Sequence, residues 1–259
     1  METGKQIIEI ALEHGADLAG IASVKELKAS ASHLIYPRME DYHGVGTVRK
    51  EEALPVDQLF NWPQTAKSAL VIAVSHPEDR PELDWWDGKG TPGNRILMGI
   101  IKKVAPEIED SLSVTCHKLH YYVEKGGVFL KDAAALAGLG TIGKGNMLVT
   151  PEYGPRVRLR ALFLDTELEP TGPVDFDPCE DCKLYCRKVC PEHAMDEPAP
   201  AFESMDADFE LPAPDGSYDR GLCNTRMEKD ISESTPDEPD GDARVKYCRK
   251  CEFVCPAGK

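Results

Sequence analysis

The sequence predicts an α+β fold in two parts, a mixed helix-and-strand core over residues 1–172 and a cysteine-rich module over residues 173–259. Three observations lead there. Ile7, Ile8, Ala11 and Leu12 recur at helical spacing behind Thr3. The run Ala69–Ser75 is apolar and β-branched, with the length of a buried strand. From Pro178 onward, eight of the nine cysteines crowd into the final third of the chain.

Each element follows in order. The first helix runs from a Thr3 cap to Gly15. Beyond the strand at 69–75, the segment Asp84–Asn94 is rich in turn formers and carries Trp85 and Trp86, so it reads as a loop that packs on something. Pro106 then starts a helix with Ile108, Leu112, Leu119 and Val123 on one side, ended by Gly126-Gly127. Cys116, alone in that helix, is a buried packing residue. An Ala-rich helix over Lys131–Ala137 leads to Gly138-Leu-Gly-Thr-Ile-Gly143 and two strand-like runs, Asn146–Thr150 and Val157–Asp165.

Composition narrows the function. No apolar run approaches the ~18 residues of a membrane span, and the start lacks an apolar signal core or a twin-arginine pair, so a cytoplasmic protein without membrane partners is expected. A formal charge of −15 repels phosphate backbones and disfavours nucleic acid as a partner. Between Glu192 and Arg244 stand 16 Asp or Glu against 4 Lys or Arg, a local net of −12. This acidic insertion, about 192–244, reads as a solvated loop or as a docking surface for a basic redox partner.

The cysteines carry the chemistry. Cys179-x2-Cys182-x3-Cys186-x3-Cys190-Pro191 resembles the bacterial ferredoxin motif with one extra residue between its second and third cysteines. A shorter copy, Cys248-x2-Cys251-x3-Cys255-Pro256, closes the chain. In that motif the cysteine before proline reaches the other cluster. Cys179, Cys182 and Cys186 are then completed by Cys255, and Cys248 and Cys251 are joined by Cys190. Cys223 is the remaining cysteine of this half and fills the second set, giving two 4Fe–4S clusters. A disulfide framework does not suit such clustering in a cytosolic chain. Zinc is the closer rival, since paired C-x2-C units also make tetrahedral sites; the Cys-Pro endings and the interlocking count favour iron.

Two motifs invite other cofactors. Gly138-x-Gly140-x-x-Gly143 matches the dinucleotide fingerprint, but that site needs a strand before the glycines and a helix after them. Here the order is reversed, so the glycines read as a helix exit where backbone approaches a flat or bulky ligand. Asp41-x-His43-x-x-Gly46 matches a cobalamin-ligating pattern without its later serine and glycine elements, and His43 reads as a loop histidine.

The stretch Lys131–Leu159, KDAAALAGLGTIGKGNMLVTPEYGPRVRL, followed by the cysteine motifs, resembles the shared core of epoxyqueuosine reductases and reductive dehalogenases from about Tyr121 to Cys255. The resemblance implies a nitroreductase-like α/β core with a C-terminal ferredoxin-like double-cluster module, often with base-off cobalamin between them. On the family's pattern Gly138, Gly140, Gly143, Asn146, Pro151 and Gly154 line the corrin, and electrons pass from outer to inner cluster and then to cobalt. The donor would be a redox protein or another low-potential reductant, and the small-molecule substrate is not specified. The chain departs from both groups. Where epoxyqueuosine reductases carry Arg-Asp-Tyr-His, Ile100-Ile101-Lys102-Lys103 stands here, and Ile cannot donate a proton. The acid tyrosine of dehalogenases has candidates by type only: Tyr121, Tyr122 and Tyr153. Arg156, Arg158 and Arg160 alternate as the outer face of a strand would. The leading expectation is an iron–sulfur oxidoreductase that carries or reduces a corrinoid. An electron carrier without cobalamin is the alternative, and a tRNA-modifying reductase the third.

Overall fold

The computed structural model describes residues 2–38, 44–48, 50–196, 218–234 and 244–259. His43 and much of the acidic insertion (197–217 and 235–243) lie outside the described residues. The core is a four-stranded antiparallel sheet of β1 (Leu18–Ser23), β2 (Ser68–Ser75), β6 (Val157–Leu164) and β3 (Cys116–Lys118), in the order β1-β2-β6-β3. A β-hairpin of β4 (Thr141–Ile142) and β5 (Leu148–Val149) stands apart from it.

The expected buried strand is β2, and both of its faces are covered. Leu70, Ile72 and Val74 face α1 (Glu2–Glu13) and α4 (Pro92–Leu112), where they meet Ile7, Leu97, Val104 and Ile108. Ala69, Val71 and Ala73 face α5 (Leu130–Leu136), beside Ala133, Ala134 and Phe163. Coverage on both sides explains why β2 reads as a continuous apolar run without polar alternation. Around it, α2 (Val24–Lys28) and α3 (Ala31–Ile35) are tied to α5 by Asp132, a buried carboxylate that accepts from Ser30 Oγ, Ser32 N and Ser32 Oγ at 2.6 to 3.0 Å.

Two local expectations are corrected. Pro106 does not begin a helix: α4 begins at Pro92, with Thr91 Oγ1 accepting from Asn94 N at 3.2 Å, and runs through Pro106. Pro106 sits on the exposed side, where the Lys102 carbonyl that it leaves unpaired can meet water. The helix ends at Ser113 in a left-handed conformation (φ 53°), so Leu119 and Val123 fall beyond it and Cys116 lies in edge strand β3. Cys116 is half-buried against the core, and burial first, then Glu109 and Asp165, push its thiol up to about 12.

The carboxy-terminal region holds α6 (Tyr185–Val189), α7 (Arg220–Ser232) and α8 (Lys250–Val254), with α6 packed on α8. The Trp loop packs on the segment leading into α8: Trp86 pairs with Val245, and Lys246 Nζ lies 4.2 Å from the Trp85 ring centroid. No helix among the described residues is long and apolar enough to cross a membrane.

Gly20 in β1 lies against the end of α5. A Cβ there would overlap the Ala137 carbonyl oxygen and lie 2.8 Å from Thr171 Oγ1, which itself donates to that oxygen at 2.6 Å. Gly20→Ala is expected to destabilise the core by about 1–3 kcal/mol through overpacking. A urea midpoint equal to wild type would contradict this packing.

Candidate functional site

The doubled cysteine motif folds as a doubled structure. Cys186 and Cys251 each occupy the second position of a five-residue helix, α6 or α8. Cys190 and Cys255 each cap the end of one in extended conformation, at φ −65° ψ 117° and φ −64° ψ 126°. The cause is shared: Pro191 and Pro256 disfavour helical backbone at the residue before them. Cys223 lies in α7, whose start is capped by Asp219 Oδ1 accepting from Leu222 N at 2.9 Å.

All nine cysteines are unpaired and half-buried. Eight of them sort into two neighbourhoods. Burial raises the Cys186 thiol, and the sulfurs of Cys179, Cys255 and Cys182 raise it further. Cys179 is raised by burial first, against the pull of the Lys144 N–H, with Cys182, Asp177 and Cys255 adding to it. Cys223 is raised by burial, then by Cys190 and Cys248. Cys251 is pushed up to about 12 by burial, then by Glu252, Cys248 and Cys223, and last by Cys186, so the two neighbourhoods adjoin. One group is therefore Cys179, Cys182, Cys186 and Cys255, and the other is Cys190, Cys223, Cys248 and Cys251. Among the described residues, no three His, Cys, Asp or Glu side chains converge tightly enough to hold a single metal ion.

The glycine loop serves this site. Lys144 N–H donates to Cys179 Sγ at 3.4 Å, and Lys144 Nζ donates to the Cys179 carbonyl at 3.1 Å. A Cβ on Gly143 would lie 3.1 Å from Cys179 Sγ, and one on Gly145 would lie 3.0 Å from Cys186 Sγ. Sequence reasoning missed Gly145, although its spacing from Gly143 was a signal for a second close approach. The glycines are a helix exit, as expected, and their close approaches are to protein. A Cβ on Gly138 (φ 73°) would lie 2.7 Å from the Thr171 carbonyl oxygen, and Cβ atoms on Gly140 and Gly154 would overlap the carbonyl oxygens of Val149 and Ala257. Asn146 (φ 54°) receives Lys131 Nζ on its carbonyl and side-chain oxygens at 2.7 and 2.6 Å. Pro151 is exposed in the turn closed by Thr150 and Gly154.

The three arginines after that turn do not form an outer face. Arg156 is buried and donates to the carbonyls of Glu252, Cys255, Ala257 and Gly258 at 2.7 to 3.3 Å. Arg158 joins a closed ring of charges. Its Nε meets Asp84 Oδ1 at 2.8 Å, and its Nη2 meets Glu252 Oε1 at 3.0 Å. Arg249 completes the ring, with Nη1 on Asp84 Oδ2 at 2.7 Å and Nε on Glu252 Oε2 at 2.8 Å. The fully buried His76 adds an Nδ1 contact to Asp84 at 2.9 Å. Burial alone would raise the Asp84 carboxyl; the His76 hydrogen bond and the Arg158, His76 and Arg249 charges outweigh it and hold the carboxyl below its ordinary range.

Beside this ring lies a cavity of about 270 Å³, with Asp84, Thr91, Asn94, Tyr121 and Arg158 as polar wall and Leu97, Leu130, Val157 and Leu159 as apolar wall. A second, of about 220 Å³, lies between Leu54–Pro63 and His117–Gly126. Neither is lined by the six residues expected at a corrin. Both are smaller than the ~300–1,000 Å³ that drug-sized ligands occupy, and a corrinoid is larger still. Of the tyrosine candidates, Tyr121 lines the first cavity, Tyr122 stacks edge-on against it at 5.3 Å, and Tyr153 packs against the core. Ile100 and Ile101 are buried in α4 and Lys102 and Lys103 are exposed.

No protein-family model matches the chain. The tetrachloroethene reductive dehalogenase of Sulfurospirillum multivorans is 31% identical over 129 residues, 49% of this chain and 23% of that protein. The epoxyqueuosine reductase of Bacillus subtilis is 25% identical over 264 residues, 98% of this chain and 63% of that protein. The chain is homologous to epoxyqueuosine reductases and reductive dehalogenases. Solved structures of both kinds share the mixed helix-and-sheet fold. An epoxyqueuosine reductase with an epoxyqueuosine-modified tRNA stem loop superimposes with TM-score 0.64 at 18% identity, over 99% of this chain and 65% of that one. A reductive dehalogenase described by B12-dependent dehalogenation gives TM-score 0.60 at 18% identity, over 98% and 31%. The chain thus spans less than two thirds of these epoxyqueuosine reductases and less than a third of these dehalogenases.

The charge ring generates a prediction. Asp84→Asn leaves Arg158 and Arg249 short of a buried counter-charge and is expected to cost on the order of 3 kcal/mol at pH 7. The Asp84 carboxyl is held low in the folded state, so its stabilisation is complete above the unfolded carboxylate value of about 3.9 and is lost as pH falls through the folded value. Urea midpoints of wild type and variant should therefore converge in acid. A difference that is flat with pH would contradict the ring's role.

Proposed function

We propose that the chain is an iron–sulfur electron-transfer protein of the oxidoreductase group to which its relatives belong. It would carry one 4Fe–4S cluster on Cys179, Cys182, Cys186 and Cys255 and another on Cys190, Cys223, Cys248 and Cys251. The single observation that supports this most is the sorting of eight sulfurs into two fours, each completed by a cysteine from the opposite motif. In this reading residues 1–172 are a nitroreductase-like core, residues 173–259 a ferredoxin-like module, and the protein works in the reducing cytoplasm, where free thiols persist.

When bound, the clusters supply one-electron transfer. The chain's own residues fix where that happens. Lys144 directs its backbone N–H at Cys179 Sγ, a contact of the kind that tunes cluster potential. Gly143 and Gly145 leave room for that loop to lie against the first group of sulfurs. Arg156 fastens the carbonyls of Glu252 and Cys255, so the last cluster cysteine is held against the core. Electrons would enter from a redox protein or a low-potential reductant, for which the acidic stretch offers complementary charge to a basic partner.

The family likeness also brings a base-off corrinoid into view as the acceptor. The two cavities described above are too small for it and are lined by none of Gly138, Gly140, Gly143, Asn146, Pro151 and Gly154. The proposal therefore ends at the clusters. For the tRNA-modifying alternative, Arg156 and Arg158 offer no open basic patch, because they are held by the chain's own carbonyls and carboxylates.

Cys223 offers the sharpest test, because it comes from outside both motifs. In anaerobically reconstituted protein, Cys223→Ala should lose about half the iron and the paramagnetic signal of one reduced cluster, while Cys116→Ala should keep both. Full iron content in the Cys223 variant would overturn the ligand scheme.

A further inference from the structure

The two cysteine motifs differ in what holds their first cysteine. Cys179 N–H donates to Asp177 Oδ1 at 2.8 Å, and Cys248 N–H donates to Asp230 Oδ2 at 2.8 Å. Asp177 stands beside Cys179 in the chain and is exposed. Asp230 comes from α7, 18 residues before Cys248, and its side chain is only 9% exposed. A carboxylate therefore meets the opening of each motif, in water at one and inside the protein at the other.

The helix that carries Asp230 is built around the second group of sulfurs. Cys223 lies on it, and its cap residue Asp219 donates its N–H to the Ala194 carbonyl at 2.7 Å. Lys229 Nζ meets Glu192 Oε1 at 2.7 Å, just past Cys190 and Pro191. Asp230 then fixes Cys248. One helix thus bears on Cys223, Cys190 and Cys248 together.

The charges around Asp230 do not cancel it. Its Oδ1, the oxygen not used by Cys248, pairs with Arg226 Nη2 at 2.5 Å, and the same nitrogen reaches Glu233 Oε2 at 2.7 Å. One cation therefore serves two carboxylates. Of the other cations near this group, Arg249 is spent on Asp84 and Glu252, and Arg220 reaches the Val45 carbonyl at 3.2 Å. Reduction adds an electron, which a neighbouring anion opposes weakly through water and strongly through protein. Net charge and solvent exposure are among the factors that set a cluster's potential.

We propose that Asp230 is a positioning residue that sets the potential of the second cluster: it holds Cys248 by the backbone N–H and, as a buried carboxylate at that ligand, makes this cluster harder to reduce. Exposed Asp177 has no such effect on the first. The role rests on the ligand scheme proposed above, in which Cys248 binds iron.

Redox titration of the anaerobically reconstituted full-length protein, followed by the paramagnetic signal of each cluster, tests this role. The signal missing from Cys223→Ala marks the second cluster. Asp230→Asn keeps an oxygen for the Cys248 N–H and removes the charge, so it should retain full iron and raise the second midpoint potential by about 59 mV, an about tenfold change in a one-electron equilibrium. The first midpoint should stay in place. Arg226→Gln strips Asp230 of its counter-charge and should shift the second midpoint the opposite way, which a merely structural role would not do; it also carries the test if Asp230→Asn does not fold. Asp177→Asn should change the first cluster's equilibrium by about twofold at most, because water screens that charge. An unchanged second midpoint in Asp230→Asn, shifts of the same sign in Asp230→Asn and Arg226→Gln, or an equally large shift in Asp177→Asn would overturn the proposal. Wild type that assembles no second cluster defeats the ligand scheme and this role with it, whereas wild type with both clusters and no shift in Asp230→Asn defeats this role alone.

Discussion

A proline after a cysteine, used twice, is the constraint on which the carboxy-terminal region depends. Pro191 and Pro256 each force the preceding cysteine out of helical backbone, so α6 and α8 end alike and their last sulfurs leave in the same sense. Packing α6 on α8 then turns that local rule into an exchange. Cys255 joins the sulfurs of the first motif, and Cys190 joins Cys223 and Cys248. Helices of five residues are too short to be stable by propensity. What fixes them here is tertiary: the partner helix, the glycine loop and, in the proposed loaded state, the clusters themselves.

The core contributes more than a platform. Asp84 and Arg158 lie beside the sheet, Arg249 and Glu252 lie within the second cysteine motif, and their ring of four alternating charges ties the two stretches together. Arg156 adds four hydrogen bonds to carbonyls of the chain's last turn. A buried ring of this kind adds little net stability over an apolar contact, but breaking it strands a charge, so it penalises any other docking of the module.

Much of this was legible in the sequence where the cause is local. The β2 run and the Ala-rich helix with its glycine exit rest on patterns within a few residues. Other features depend on what packs where. Pro106 looked like a helix start because proline favours first turns, yet Thr91-Pro92 caps the helix earlier and Pro106 is tolerated on the wet side. Arg156, Arg158 and Arg160 alternated like a solvated face, and their true partners lie some 66 to 102 residues away in sequence or come from the loop at Asp84. The closeness of Gly143 and Gly145 to sulfur is equally non-local. The resemblance named the right relatives.

Quantifying iron and acid-labile sulfide in anaerobically purified, full-length protein tests the central claim most directly. Two cubanes predict about eight iron and about eight sulfide per chain, with visible charge-transfer absorption that bleaches on reduction. Stoichiometric zinc with neither sulfide nor colour would contradict the account.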